Sequence, residues 1–189
     1  HGDMENYFQA KLAFLQPEYA QSAVICIDDE WGMRASQEAG VPVDTLSAVG
    51  KPADWQIINI EPRLTPEGEI DVGAKFTLAG PGERVDVETH LVGAFNITNA
   101  AMAILLAHRA GVPLDTAADA IGAYPGVPGR MEHVFGRSPG PLAIVDYAHA
   151  PDSVIAAAQA ARPLTPGRLI IAVGAGGNRL VGEECGGGG

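Results

Sequence analysis

The sequence predicts an α/β protein in which a larger unit is followed by the beginning of a second one. Near the N-terminus, a segment rich in Val and Ile, a helical segment and another apolar segment follow one another, which is typical of a parallel α/β unit. The middle of the chain alternates polar and apolar residues with a period of two, as antiparallel strands do. A stretch rich in Pro and Gly then precedes a further strand and helix.

The first fifteen residues, HGDMENYFQAKLAFL, predict a helix that begins near Asp3. Its apolar residues fall at helical spacing and form one stripe: Met4, Tyr7, Phe8, Leu12 and Leu15. Lys11 lies within that stripe. Its side chain either reaches water along its methylene groups or is buried, and a desolvated amine loses its proton more readily. A neutral amine can react with carbon dioxide to give a carbamate, whose oxygens suit Mg²⁺.

The segments that follow predict the rest of the first unit. SAVICIDDEW predicts a buried strand that ends at Asp28 and Asp29, GMRASQEAG predicts a helix closed by Gly40, and VPVDTLS predicts a second strand. WQIINIEP, EIDVGAKFTLAG and ERVDVETHLVG predict a small antiparallel β insertion. AFNITNAAMAILLAHRAG predicts a long helix that ends at Gly111, and PLDTAADAIGAY a shorter one. Because both helices are rich in alanine, we expect them to pack closely.

The segments YPGVPGRME and RSPGP predict a domain boundary between Phe135 and Pro141, which divides the chain into residues 1–136 and 137–189. Beyond the boundary, LAIVDYAHAPDSVIAAAQAARP predicts a strand, a loop and a helix that Asp152 can cap. GRLIIAVGAGGNR predicts a second strand of a parallel unit, ending in a Gly-rich turn. That turn could cradle an anion, but the chain contains neither the G-x-G-x-x-G nor the G-K-[ST] fingerprint.

Composition and charge exclude several classes of function. Of the 189 residues, 47% are hydrophobic and 19% are charged, as in folded globular proteins. The net charge of −11 argues against a surface that binds nucleic acid or an anionic membrane. Two cysteines, Cys26 and Cys185, are too few for a disulfide framework or a zinc site. This cysteine usage makes a cytoplasmic location the expectation, and no apolar run reaches the roughly 20 residues that span a bilayer.

Polar residues at predicted element ends are the candidates for a binding site. Asp146 and His149 follow a strand, the usual ligand position in open α/β sheets, although both also suit an ordinary loop. Arg130 lies on the Pro/Gly-rich connector, where its planar guanidinium can reach a phosphate or a ribose. Asn96 and Asn99 open the long helix, where an amide can cap the helix or hydrogen-bond a base.

Five segments, taken together and in this order, resemble the Mur ligase family, and most closely its MurE type: HGDMENYFQAK, GAFNITNA, VPGRMEHV, VDYAHAPD and VGAGGNR. The resemblance implies an ATP-dependent ligase that adds the third amino acid to UDP-MurNAc-L-Ala-D-Glu through an acyl phosphate, in peptidoglycan synthesis. It also implies that residues 1–136 are the later part of the central ATPase domain, and that residues 137–189 begin a Rossmann-like C-terminal domain.

The resemblance further implies a role for each candidate residue. Lys11 matches the family's carbamylated lysine, which would be buried and would hold Mg²⁺. Asn96 and Asn99 fall at the helix that lies against the adenine of ATP. Arg130 and Asp146 would hold the ribose and phosphates from the two sides of the domain junction. The remaining candidates, Tyr147 and His149, would stand in the same cleft.

The chain also departs from the family pattern. The family's P-loop and the histidine that shares its metal would precede His1, Asn178 and Leu180 replace expected aspartates, and no Asn-Pro-Arg motif is present. We therefore expect a piece of a longer protein, inactive by itself and monomeric. Diaminopimelate is the expected amino acid, with lysine as the alternative. A folylpolyglutamate or cyanophycin synthetase and a non-catalytic nucleotide-binding remnant are the competing hypotheses.

Overall fold

The computed structural model describes residues 4–64, 70–135 and 141–174. In chain order the elements are α1 (Met4–Leu12), a 3₁₀ turn (Ala13–Leu15), β1 (Ala23–Cys26), α2 (Glu30–Glu38), β2 (Val43–Ser47), β3 (Trp55–Leu64), β4 (Ile70–Ala79), β5 (Arg84–Thr89), α3 (Ala94–Arg109), α4 (Leu114–Ala123), β6 (Glu132–Phe135), β7 (Ala143–Val145) and α5 (Pro151–Ala161). The Gly-rich turn after Gly174, with Asn178 and Leu180, lies outside the described residues.

The first five strands form one mixed sheet in the order β1-β2-β3-β4-β5. β1 and β2 are parallel, and β4 pairs antiparallel with both β3 and β5, as the sequence predicts. β3 also pairs in parallel with β2, with Leu46 opposite Trp55. The antiparallel strands therefore extend the parallel pair as one sheet.

The main core lies between this sheet and the two alanine-rich helices. Buried side chains from both sides form one cluster, which includes Leu46, Trp55, Phe76, Leu78, Ala101, Ile104, Leu105, Leu114 and Ala117. Ala101 and Ile104 of α3 are fully buried. Small side chains let a helix approach its neighbours closely, so the predicted close packing of α3 is confirmed.

The apolar stripe of α1 is only half buried. Phe8 and Leu12 are buried, whereas Met4 and Tyr7 are 57% and 44% exposed. Phe8 and Leu12 form the buried side of the stripe. Lys11 lies on its exposed side, one helical turn from Tyr7. Lys11 is consequently exposed, and the expected burial of this lysine is wrong for the described chain.

The two aspartates after β1 bind different elements, Asp29 the start of α2 and Asp28 the end of β2. Asp29 caps the helix, because its Oδ1 accepts a hydrogen bond of 2.6 Å from the Gly32 N–H. Asp28 accepts hydrogen bonds from the Ser47 hydroxyl at 2.6 Å and from the Ala48 N–H at 2.9 Å. Burial raises the pKa of Asp28, but these hydrogen bonds outweigh it and hold the pKa below its usual value.

The second unit differs from its prediction in two ways. Within the described residues, β7 pairs with β6 in an antiparallel ladder, and residues 168–174 form no strand. LIIAV has strand-like composition, but a strand needs a hydrogen-bonded neighbour, and Ile170 is 78% exposed. The cap of α5 is Ala150, whose N–H donates to the Ser153 hydroxyl at 3.1 Å. Asp152 lies in the first turn, so its expected capping role is wrong.

Candidate functional site

The connector before β6 forms a tight turn around Arg130. Gly129 and Met131, on either side of the arginine, both have positive φ angles, of 68° and 47°. The Gly129 N–H donates to Glu132 Oε2 at 2.7 Å, and the Arg130 N–H donates to the Val127 carbonyl at 3.0 Å. The turn fixes the backbone of Arg130 while its side chain remains exposed.

The residues after β7 are hydrogen-bonded to this turn. The two carboxylate oxygens of Asp146 accept hydrogen bonds from the Met131 N–H at 2.8 Å and from the Ala148 N–H at 2.7 Å. The Tyr147 N–H donates to the Gly129 carbonyl at 2.7 Å. Asp146 therefore joins the connector to the loop before α5. A carboxylate has about four acceptor positions, so Asp146 can still receive a hydroxyl donor.

Arg130, Tyr147 and His149 form an exposed group above this junction. The Arg130 guanidinium carbon lies 5.8 Å from the centroid of the Tyr147 ring, within range of a cation–π contact. The Tyr147 and His149 rings meet edge to face, with centroids 5.3 Å apart. His149 Nδ1 lies 3.0 Å from the Tyr147 carbonyl and acts as the donor, because a carbonyl only accepts. Four of the predicted site residues are thus brought together: Arg130, Tyr147, His149 and Asp146.

The two asparagines of α3 have different surroundings. Asn96 is buried, and its Nδ2 donates to the Val92 carbonyl at 2.9 Å. α3 begins after Gly93 without a side-chain cap, so neither asparagine caps it. Asn99 is exposed. Val92 packs in the same buried cluster as Met131, which places the start of α3 beside the arginine turn.

Lys11 is positioned by a different element, α1, which packs against α2. Its Nζ lies 5.5 Å from the centroid of the Tyr7 ring. Among residues 4–64, 70–135 and 141–174, no three His, Cys, Asp or Glu side chains are grouped so as to hold a metal ion. The described residues do not by themselves fit a Mg²⁺ site.

A cavity of about 540 Å³ adjoins the arginine turn. Basic side chains line part of it: Arg63, His90, Arg130 and His133. Arg63 is already paired, with Glu88 at 2.8 Å and Asp71 at 3.5 Å. Arg130 lines the same cavity, and its guanidinium also lies beside the Tyr147 ring.

Two family models match the chain, and their order agrees with the order of the two units. The model of the Mur ligase middle domain matches residues 1–107, and that of the Mur ligase glutamate ligase domain matches residues 129–185. The chain belongs to the Mur ligase family. The arginine turn and the Asp146 loop both fall within the second match.

Similar proteins are named as ligases or synthetases of UDP-N-acetylmuramoyl peptides. A UDP-N-acetylmuramoyl-L-alanyl-D-glutamate–2,6-diaminopimelate ligase of Streptomyces avermitilis is 44% identical over 95% of this chain, which covers 34% of that protein. A UDP-N-acetylmuramyl-tripeptide synthetase of Leifsonia xyli is 38% identical over 93% of the chain, again covering 34% of that protein. The chain spans about a third of the length of these relatives.

Solved structures of Mur ligases share this fold. One, described as a UDP-N-acetylmuramoyl-L-alanyl-D-glutamate–2,6-diaminopimelate ligase, has a TM-score of 0.67 and 31% identity, with 86% of this chain and 32% of that chain covered. A folylpolyglutamate synthetase from Lactobacillus casei has a TM-score of 0.63 at 18% identity, with 87% of this chain and 41% of that chain covered, and shows the fold alone. Within the described residues, no helix is long and apolar enough to cross a membrane.

Sequence reasoning missed two residues of the arginine turn. Met131 is buried with a left-handed backbone, and Glu132 binds the Gly129 N–H. The available signal for Glu132 was its spacing, because an acidic side chain three residues after a glycine can reach back to that backbone N–H. No pattern in the sequence indicates a positive φ at a methionine.

Proposed function

We propose that this chain is part of an ATP-dependent ligase that joins an amino acid, diaminopimelate, to UDP-MurNAc-L-Ala-D-Glu. The observation that carries the proposal is the junction of the Arg130 turn with the Asp146 loop, where Asp146 accepts a hydrogen bond from the N–H of Met131, the residue after the arginine. The names of the similar proteins supply the reaction class and the acceptor.

In this proposal the junction binds ATP. The Arg130 guanidinium pairs with phosphate oxygens, for which its planar fork is suited. The Asp146 carboxylate accepts a ribose hydroxyl, and Tyr147 and His149 offer ring faces and edges to the bound nucleotide. Asn99, which is exposed on α3, hydrogen-bonds the adenine. Asn96 supports that helix from the inside, because its amide donates to the Val92 carbonyl.

The reaction we propose has two steps. The acceptor carboxylate attacks the γ-phosphorus of ATP, which gives an acyl phosphate and ADP. The amine of the amino acid then attacks the acyl carbon, loses a proton and displaces inorganic phosphate, forming the amide. The chain's own residues position the nucleotide and offset charge on its phosphates. A closed junction would also keep water from the acyl phosphate.

We propose that Lys11 supplies one ligand to Mg²⁺ as its carbamate. Within the described residues no three His, Cys, Asp or Glu side chains are grouped to hold the ion, and Lys11 is exposed. The remaining oxygen ligands and the desolvation of the amine would have to come from ATP and from protein beyond the described residues. The isolated chain would then be inactive. We also propose that residues 1–136 and 137–189 belong to successive domains of a monomeric cytoplasmic enzyme.

Phosphate release by the complete protein that contains this chain tests the proposed function. We expect ATP-dependent release of phosphate only when UDP-MurNAc-L-Ala-D-Glu and diaminopimelate are both present, and a loss of about 100-fold or more for Arg130→Ala, in line with losing one electrostatic contact to a reacting phosphate. Arg168→Ala removes an arginine that lies outside the group and is the matched control. Phosphate release with lysine in place of diaminopimelate would mean that lysine is the amino acid added. Release with a folate acceptor would favour the folylpolyglutamate synthetase alternative. No phosphate release with any acceptor would contradict a ligase.

A further inference from the structure

The turn that carries Arg130 has an unfavourable backbone. Gly129 tolerates its φ of 68°, but Met131, at 47°, has a side chain and an angle that such residues rarely adopt. A conformation of this kind persists only where the surroundings enforce it, and it occurs most often at functional sites. The question is which contacts enforce it here.

Four hydrogen bonds hold the turn, one at Met131, one at Arg130 and two at Gly129. Met131 is 5% exposed and packs among buried apolar residues, while its N–H donates to Asp146. The Arg130 N–H donates to the Val127 carbonyl. On the other side, the Gly129 N–H donates to the Glu132 carboxylate at 2.7 Å. The Tyr147 N–H donates to the Gly129 carbonyl at 2.7 Å. Glu132 is therefore the side chain that secures the half of the turn that Asp146 does not reach, together with the backbone of Tyr147.

Glu132 is itself held in place by the sheet. It is the first residue of β6, where it lies opposite Val145, the residue immediately before Asp146. The strand pairing therefore places Glu132 and Asp146 at the same end of the β6–β7 ladder. From there Glu132 reaches back three residues to Gly129, and Asp146 reaches across to Met131.

We infer that Glu132 is a positioning residue for Arg130, and that it acts on the bound nucleotide only through that arginine. The inference rests on the proposed ATP site. An arginine on a fixed turn loses less conformational freedom when it binds a phosphate than one on a loose connector does. A carboxylate also makes a shorter and stronger hydrogen bond to a backbone N–H than a neutral acceptor makes.

The test is a double-mutant cycle in the complete protein, with KM for ATP, kcat and melting temperature measured for each variant. We expect Glu132→Ala to raise KM for ATP about fivefold with kcat nearly unchanged, within the range of coupling between residues that share a network. Glu132→Gln keeps an acceptor oxygen and should stay within about twofold of the parent. In the Arg130→Ala background, Glu132→Ala should raise KM no further. Asp119→Ala, which removes an exposed carboxylate on α4, is the control.

Three results would overturn the inference. The first is an equal rise of KM on Glu132→Ala with and without Arg130, which would mean that the carboxylate acts independently of the arginine. The second is a fall in kcat and melting temperature with KM unchanged, as a purely structural role predicts. The third is a rise in KM for Arg130→Ala but none for Glu132→Ala. If Arg130→Ala changes neither KM for ATP nor the rate of phosphate release, the proposed ATP site fails, and the inference with it.

A second pair of variants keeps the test decisive if Glu132→Ala does not fold. Glu132→Asp retains the charge on a side chain one methylene shorter, which brings the carboxylate short of the Gly129 N–H. We expect Glu132→Asp to raise KM for ATP more than Glu132→Gln does, because reach matters more than charge for this contact. The opposite order would contradict a role based on the hydrogen bond.

Discussion

Asn96 and Asn99 lie one helical turn apart at the start of α3, yet their side chains meet different surroundings. Asn96 is 7% exposed and donates to the Val92 carbonyl, which anchors the segment that precedes the helix. Asn99 points to the exposed side, one turn from Phe95, which is 38% exposed. Asn96 therefore stabilises the fold, whereas Asn99 is exposed where a ligand could reach it.

Substituting each asparagine by alanine should separate these two roles. Asn96→Ala removes a buried hydrogen bond and leaves the Val92 carbonyl without that donor, so the free energy of unfolding should fall by about 1–2 kcal/mol. Asn99→Ala should change it by less than about 0.5 kcal/mol and raise KM for ATP about three- to tenfold. Denaturant unfolding of the chain and steady-state kinetics of the complete protein provide the two measurements. The reverse assignment of effects would contradict the proposed adenine contact.

Arg34 of α2 contacts α1 through both charge and an aromatic ring. The guanidinium pairs with Glu5 at 2.5 Å and with Glu38 at 2.6 Å, and it lies 4.3 Å from the centroid of the Phe8 ring. Phe8 in turn contacts Trp31, with ring centroids 5.4 Å apart. Because α1 also carries Lys11, this contact sets where the proposed carbamate would lie.

The attachment of α1 should depend on pH in a defined direction. The hydrogen bond from Arg34 lowers the pKa of Glu5 from 4.5 to about 2. A carboxyl whose pKa is lower in the folded state stabilises the fold above its unfolded pKa, and that contribution is lost as the pH falls from 4.5 toward 2. Glu5→Gln keeps the shape without the titration, so its melting temperature should fall less over this interval. If the melting temperatures of the parent and of Glu5→Gln fell equally over this pH interval, the ion pair between Glu5 and Arg34 would be contradicted.

Element types in the larger unit could be predicted from the sequence because each has its own periodic pattern and stop signals. The long α3 pattern and the alternating β4 and β5 patterns are examples. The start of α2 was set too late, because the capping role of Asp29 was not recognised. The prediction of a strand over residues 168–174 was wrong for a different reason. Composition reports only that a segment suits a sheet, whereas pairing depends on which neighbours are present.

Less of the candidate site could be predicted, because its parts depend on contacts between distant segments. The sequence placed Arg130 and Asp146 at a connector and a strand end, but the hydrogen bond between Asp146 and the Met131 N–H spans fifteen residues. The apolar stripe left the burial of Lys11 open, and the family resemblance implied it, but the stripe is only half buried. A helical pattern shows which residues share a face, and it does not show how far a neighbour covers that face.

The whole account depends on ATP binding at the junction between the connector turn and the Asp146 loop. The most direct measurement is photolabelling of the complete protein with 8-azido-ATP, followed by mass-spectrometric mapping of the modified peptides. We expect labels within α3 near Asn99 or within the loop of Tyr147 and His149, suppressed by excess ATP and reduced in Arg130→Ala. Labelling that excess ATP suppresses but that maps only outside residues 94–162 would contradict a nucleotide site at this junction.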